Sequence, residues 1–462
     1  MEEYIKKLLE QVRFEKAHKS IADELRAHIE DQIEANVAEG MDKETAEKKA
    51  VADMGNPVSA GVELDKVHRP QLAWELVSAT LIVIAIGVII HIMLSGSLGE
   101  AMHKYMDDEY LRRFQDLQKT ECLKYILYSF AGIVTMLLIY FLDYTTVAKY
   151  SKVAGNVLLI AYLCGFWFIE KSGHAHVGLP RFLVGNNFVP IGLIWKESLS
   201  LLLLMIPLYA GIIYNYRGQA HGGLIRALIW IIVPCVMLFL DYEWFKAVML
   251  EIGLLAELTI AIKKEWIKVP KIPVLSILWG ASAFFPIFVI DKIYKYTPLA
   301  SYLVNEGSAN ILESKPVLPY GSRASSAIII TKYSNCHKTG ILDCVTGMAG
   351  IIIGLLVITL VSGLIVFGVR TVAKTKNQLG FVMGSGCMTW LMLNVIFNTG
   401  VGFGILRPDS ELFLPFISNN NIIVSYASLG IILSIYKYKN AYAEHIDIEK
   451  VGFRAIFKNL EL

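Results

Sequence analysis

Ten apolar stretches, each long enough to cross a bilayer, follow a charged head of about seventy residues. A helix rising about 1.5 Å per residue needs roughly 20 apolar residues to span a hydrocarbon core. Stretches such as Trp74 to Leu94 and Cys344 to Val369 meet that length. The spans are predicted near 74–94, 123–142, 153–170, 198–216, 222–240, 243–262, 272–290, 344–369, 379–405 and 413–436. The expected fold class is all-α, a polytopic membrane protein with ten transmembrane helices and a small N-terminal cytoplasmic helical domain. Composition agrees: 55% of the residues are hydrophobic and 18% charged, too apolar for a solvated globule.

The same numbers exclude several functions. A net charge of +2, with basic residues in short clusters between spans, points to no nucleic-acid partner. Six cysteines without CxxC spacing argue against a zinc or iron–sulfur site, although Cys122 and Cys336 are candidates to meet in an outer disulfide. Met1 to Glu10 is charged and lacks the apolar region of a secretory signal, so the head is expected to stay on the side where it is made.

The head reads as short amphipathic helices. Ile5, Leu8, Leu9, Val12 and Phe14, then Ile21, Leu25, Ile29 and Ile33, recur at helical spacing. Asp42 is a candidate N-cap for Lys43 to Met54, and Gly55-Asn56-Pro57 is a stop signal. The expected divisions are 1–70 for the head and a charged connector, 71–440 for the membrane domain and 441–462 for a cytoplasmic tail. Lys149, Lys152, Arg217, Lys263, Lys264, Lys268, Lys271, Arg370, Lys374, Lys376, Lys437 and Lys439 fall on the head's side, while Asp107, Asp108, Glu109, Glu306, Asp409 and Glu411 fall opposite. By the positive-inside rule both termini of this cell-membrane protein are cytoplasmic. Two long outer loops result, 95–122 and 291–343, and the second is the expected wall of a functional cavity.

Few side chains promise chemistry. Glu251, in mid-span, and Glu257, nearer the cytoplasm, are candidates for a polar cavity; the alternative is a neutral Glu bonded to a neighbouring helix. His174 and His176 lack the further ligands a metal site requires, and solvated-loop residues are the simpler reading. No GxSxG, HExxH, Walker or GxGxxG context supports a hydrolase or nucleotide site. Arg181, Lys196 and Arg323 are cations placed to meet a lipid phosphate or diphosphate, or simply to anchor loops at headgroup level.

Specific residues appear near the C-terminal end. Asn398 to Leu406 (NTGVGFGIL) with Pro408, then Leu414-Pro415-Phe416-Ile417-Ser418, then Leu429 to Ile435 (LGIILSI), resemble the last two spans of the SEDS family (shape, elongation, division and sporulation), of the RodA and FtsW type. Arg181-Phe182-Leu183 and Phe188-Val189-Pro190 resemble that family's RRWI and FQPSE segment. The similarity covers about residues 74–436 and is strongest in the final forty. Separately, the head resembles permease-prefix domains through Glu24 to Asp31 (ELRAHIED) and the Gly55-Asn56-Pro57 turn.

The SEDS resemblance implies polymerisation of glycan strands from lipid II, a lipid-linked peptidoglycan precursor, alongside a class B penicillin-binding protein. It implies that Asn398, Pro415 and Ser418 help to hold that substrate, with Arg181, Lys196, Arg323 and the mid-span Glu251 as further candidates for binding it. It also implies positive groups or a divalent cation to stabilise the departing diphosphate. The family's base is an Asp in an HTDF-like segment, and aligning His337 with that His puts Thr339 in the Asp position. Asp343, one turn on, is the candidate substitute base, with a helix N-cap as its structural alternative. Ile191 and Gly192 replace the family's Ser and Glu, and Asn419 to Ile423 stand where YGGSS would be. Three readings follow: a divergent SEDS-like protein of peptidoglycan synthesis in division or cell shape; a noncatalytic scaffold or regulator whose head binds a cytoplasmic partner; and a lipid flippase or transporter.

Overall fold

The computed structural model describes residues 1–102, 108–171, 181–184, 187–190, 199–240, 244–296, 341–402, 413–419, 421–446 and 448. Four helices form the head: α1 (Glu2–Leu9), α2 (Glu15–Ala38), α3 (Lys43–Asp53) and α4 (Pro57–His68). Asp42 caps α3 as expected, accepting from the Thr45 amide at 3.0 Å. Gly55, at φ +74°, turns the chain, and Asn56 caps α4 by accepting from Val58 N at 2.9 Å, with Pro57 at the first helical position. The stop signal is therefore also a start signal, and most of the expected connector is helix. Ile5, Leu8, Ile21 and Ile29 supply the buried faces.

The apolar segments follow as α5 (Trp74–Met102), α6 (Asp108–Phe141), α7 (Tyr144–Lys171), α8 (Met205–Tyr214), α9 (His221–Leu240), α10 (Trp244–Lys263), α11 (Lys271–Tyr296), α12 (Ile341–Ala349), α13 (Ile351–Ala373), α14 (Gln378–Gly402) and α15 (Ile422–Lys437). A 3-10 turn at Leu199–Leu204 enters α8. Among the described residues, Trp74–Gly96, Gln115–Phe141, His221–Leu240, Ile351–Ala373 and Gln378–Gly400 are long and apolar enough to cross a membrane, and Leu202–Tyr214, Lys271–Ala283 and Ile422–Lys437 are shorter apolar helices. The protein is a helical, multi-pass membrane protein.

Several expected boundaries differ. Much of the supposed loop 95–122 is helix, because α5 runs on to 102 and α6 starts at 108. The eighth span is broken at Gly350, whose φ of +91° only glycine adopts freely, so Asp343 lies inside α12 rather than capping the long helix. In the expected tenth span the helix, α15, begins only at Ile422, and 413–419 is a buried non-helical loop. Within 181–190 a small antiparallel hairpin pairs β1 (Arg181–Val184) with β2 (Asn187–Pro190).

The interior is organised about α14. Two-thirds of its apolar window is buried, against 22% for the lipid-facing α6, and it packs on α8, α10, α12, α13 and α15. Glycines set the close crossings: a Cβ at Gly132 would lie 2.1 Å from the Tyr426 ring, bringing α6 onto α15.

The head docks on the bundle end where α6 turns into α7. Lys16 Nζ meets Asp143 at 2.8 Å, Phe14 stacks on Tyr438 at 5.6 Å and Asn440 donates to the Val67 carbonyl at 2.9 Å. The segment after α15 straps the same end, with Asn377 Nδ2 donating to Ala443 O at 2.6 Å and Tyr214 OH to Ile446 O at 2.7 Å.

Candidate functional site

Asn398 lies twenty residues beyond Gln378 on α14, so at helical rise it is about 30 Å away, at the end of the bundle opposite the head. There the loop 413–419 folds into the interior. Every residue of 413–419 is buried, and such a segment is tolerated at membrane depth only if protein groups satisfy its backbone.

The loop is built on a tight turn. Ile417 N donates to Leu414 O at 3.2 Å, closing a four-residue turn with Pro415 at its second position, where a fixed φ suits the bend. Phe416 follows at φ +66°, a region that favours glycine. Its ring is held edge-on to Tyr426 at 5.4 Å and is 1% exposed, so aromatic packing retains a residue the backbone disfavours. Ser418 closes the far side: its Oγ accepts from Leu414 N at 3.0 Å, and its amide donates to Leu414 O at 3.0 Å.

Side chains from α5, α6 and α14, together with Asn419 of the loop itself, clamp this turn. Asn398 Nδ2 donates to the Phe413 carbonyl and to Asn394 O. Tyr125 of α6 donates its hydroxyl to Phe416 O at 3.0 Å. His91 of α5 reaches Ile417 O at 2.8 Å, which requires the proton on Nε2, and its ring stacks on Tyr125 with centroids 4.0 Å apart. Asn419 Nδ2 donates to the Glu121 carbonyl at 3.1 Å and to its carboxylate at 3.3 Å. Lys124 pairs with Glu121 at 2.8 Å and stays 40% exposed beside the clamp. Gly87 makes room for the clamp, since a Cβ there would fall 1.9 Å from Tyr125 Oη.

The expected site residues divide. Asn398, Pro415 and Ser418 are brought together in this turn, though each is committed to shaping it. Glu251 is not with them: it is half-buried on α10 and faces Ser282 of α11. Glu251 and Glu257 do not share a cavity either, because six residues turn a helix through about 240°, and Glu257 faces α14. The backbone at Arg181 lies in β1 and that at Asp343 in α12, while their side chains fall outside what the structure describes. Lys196, Arg323, Thr339, His174, His176 and the Cys336 half of the expected disulfide also lie outside the described residues. Among those described, no three His, Cys, Asp or Glu side chains gather to hold a metal ion. His91, Tyr125, Glu121 and Asn419 were not anticipated; a histidine inside an apolar span was the available signal for the first.

The break in the expected eighth span lies toward this end. A Cβ on Gly368 would meet Met388 at 2.4 Å and Leu76, near the head, at 3.9 Å. Gly354, fourteen residues earlier and about 21 Å along the helix, abuts Thr346 of α12. Thus α12, with Asp343, sits toward the 413–419 end and packs on α5, α13 and α14.

No protein-family profile matches this chain, and no curated protein matches it. Solved structures do. A chain described under "Structural coordination of polymerization and crosslinking by a peptidoglycan synthase complex" is 15% identical, with a TM-score of 0.53 over 80% of this chain and 98% of that one. The rod shape determining protein RodA of Thermus thermophilus aligns at 14% identity over 79% of this chain and 97% of its own, with TM-scores of 0.49 for a point mutant and 0.46 for the other structure. The protein is thus a polytopic helical membrane protein with the fold of a peptidoglycan synthase chain. The likeness to the SEDS family read from the last two spans holds at the level of the fold.

Proposed function

We propose that this chain is a divergent SEDS-type membrane protein of peptidoglycan synthesis, acting in cell division or cell shape, and that it binds a lipid-linked precursor at the end of the bundle opposite the head. The observation carrying this reading is the clamped turn at 413–419. The residues of strongest family resemblance are Leu414 to Ser418, which α5, α6 and α14 hold in one buried, strained conformation, and Asn398, which supplies the α14 contact. A rigid turn there gives a long lipid-linked substrate a fixed wall. Lys124 supplies a cation beside it, suited to a diphosphate by charge-assisted hydrogen bonds. By the same reading Arg181, Lys196 and Arg323 complete the positive lining, and a class B penicillin-binding protein is the partner that cross-links the product.

Asp343 is the base in this proposal, taking a proton from the attacking sugar hydroxyl. Its support is the position of α12 beside α13 and α14 at the loop end. The test is polymerisation of labelled lipid II by the full-length protein with its partner supplied. Loss of product in Asp343→Asn, with thermal stability retained, is the expected result; undiminished product removes Asp343 from the mechanism.

Thr339, where the family has its base, favours a second reading as a noncatalytic scaffold that binds precursor without polymerising it. In that case precursor binds, no partner yields product, and Asp343→Asn binds as the parent does.

A further inference from the structure

Glu257 belongs to no part of the turn. It is completely buried on α10, and neither carboxyl oxygen has a hydrogen-bond partner among the described residues. Its seat is a notch in α14: a Cβ on Gly386 would lie 1.7 Å from Oε1 and 2.4 Å from Cδ. Among the described residues, the groups around it carry no positive charge. Tyr209 of α8 faces it, with a hydroxyl already donated to the Ala227 carbonyl at 3.1 Å. Cys387 of α14, fully buried, is the other titratable neighbour, and the Ala210 backbone lies close without hydrogen-bond geometry. From the other helices packed on α10, Cys235 of α9 and Ser282 of α11 neighbour Glu251 instead.

An ionised carboxylate only accepts hydrogen bonds, and here no donor meets it; an unpaired charge in a low-dielectric interior is far costlier than a neutral acid. We propose that Glu257 is a proton-binding site inside the membrane bundle, its protonated form being the one that fits between α10 and Gly386 of α14. Releasing the proton to water leaves a carboxylate that the notch cannot hold, and α10 parts from α14 until water reaches it. This inference is independent of the precursor reading.

The test uses the full-length protein in lipid nanodiscs. Infrared spectra at neutral pH should contain a protonated-carboxyl band that shifts when glutamate carboxyls carry carbon-13, persists in Glu251→Gln and vanishes in Glu257→Gln. If Glu257→Gln does not fold, Glu257→Asp in the Glu251→Gln background decides, since the acid band then comes from an unlabelled aspartate and must lose its carbon-13 shift. A second readout is maleimide labelling of Cys387 with the other cysteines replaced. As pH rises toward the midpoint of Glu257, the rate relative to that in Glu257→Gln should climb about tenfold per pH unit, following the ionised fraction. No acid band assignable to Glu257 at neutral pH, or a labelling ratio flat with pH, overturns the proposal.

Discussion

Tyr125→Phe is the smallest change that probes how the buried turn is held. It removes one oxygen from a residue that is 0% exposed and leaves the Phe416 carbonyl without the donor now 3.0 Å away. A buried acceptor stripped of its partner costs about 1–3 kcal/mol. The loss falls on a residue whose positive φ already costs about 1–2 kcal/mol against an ordinary conformation. The turn then depends on His91, Asn398 and the Asn419–Glu121 contact for its remaining clamps, so Asn398→Ala should compound the damage. Both substitutions act on one short loop, and a coupling of about 0.5–3 kcal/mol is expected in the double variant. The assay is thermal unfolding in detergent at matched scan rates for parent, both single variants and the double, with amide exchange across 413–419 as the local readout. Exchange in Tyr125→Phe should rise by about one to two orders of magnitude, the equivalent of about 1–3 kcal/mol at roughly 1.4 kcal/mol per decade. Unaltered exchange, together with strictly additive midpoints, would refute the claim that the clamp determines the loop conformation.

Close helix crossings give a second prediction. Gly132→Ala drives a methyl to within 2.1 Å of the Tyr426 ring and should cost about 1–3 kcal/mol, read as a lowered unfolding midpoint; Gly280→Ala, inside α11 with nothing within 4 Å, should not lower it and should raise it by up to the equivalent of about 1 kcal/mol of helix propensity. Asp143→Asn weakens the pair that joins the head to the bundle, and limited proteolysis between residues 69 and 73 should accelerate while the apolar helices stay protected. Docking should also respond to pH. Partial burial works against the Lys16 ammonium, but the hydrogen bond and charge of Asp143 outweigh it and raise its pKa above the usual lysine range. The folded value exceeds the unfolded one, so this contribution is complete below the ordinary lysine pKa and is lost as pH climbs through the raised value. Fluorescence energy transfer between head and bundle should therefore fall only at strongly alkaline pH, and a fall near neutrality would contradict the assignment.

Much of the fold was readable because its signals are local. The apolar runs, the Asp42 cap and the Gly55-Asn56-Pro57 punctuation each report on the few residues around them, and the helices lie where those runs fall. What escaped depends on distant partners. The unbroken apolarity from Phe413 to Ile417 reads as helix, yet those residues form a turn because Asn398, Tyr125 and His91 approach from three other helices. The break at Gly350 was equally hidden, since a glycine inside an apolar helix signals nothing by itself. Glu251 and Glu257 were both visible as carboxylates in a span, but which neighbour each faces follows from how α10 packs against α11 and α14. Asn398, Pro415 and Ser418 were found through resemblance, and the contacts recast them as the frame of the candidate site.

The most direct measurement is photo-crosslinking with a lipid-linked disaccharide diphosphate carrying a diazirine, competed by unlabelled lipid II and mapped by mass spectrometry. The account predicts competable adducts on α12 and on the segment from Asn398 to Asn421, reduced in Tyr125→Phe. Adducts confined to the head and the strap at 438–446, or labelling that lipid II does not compete, would contradict it.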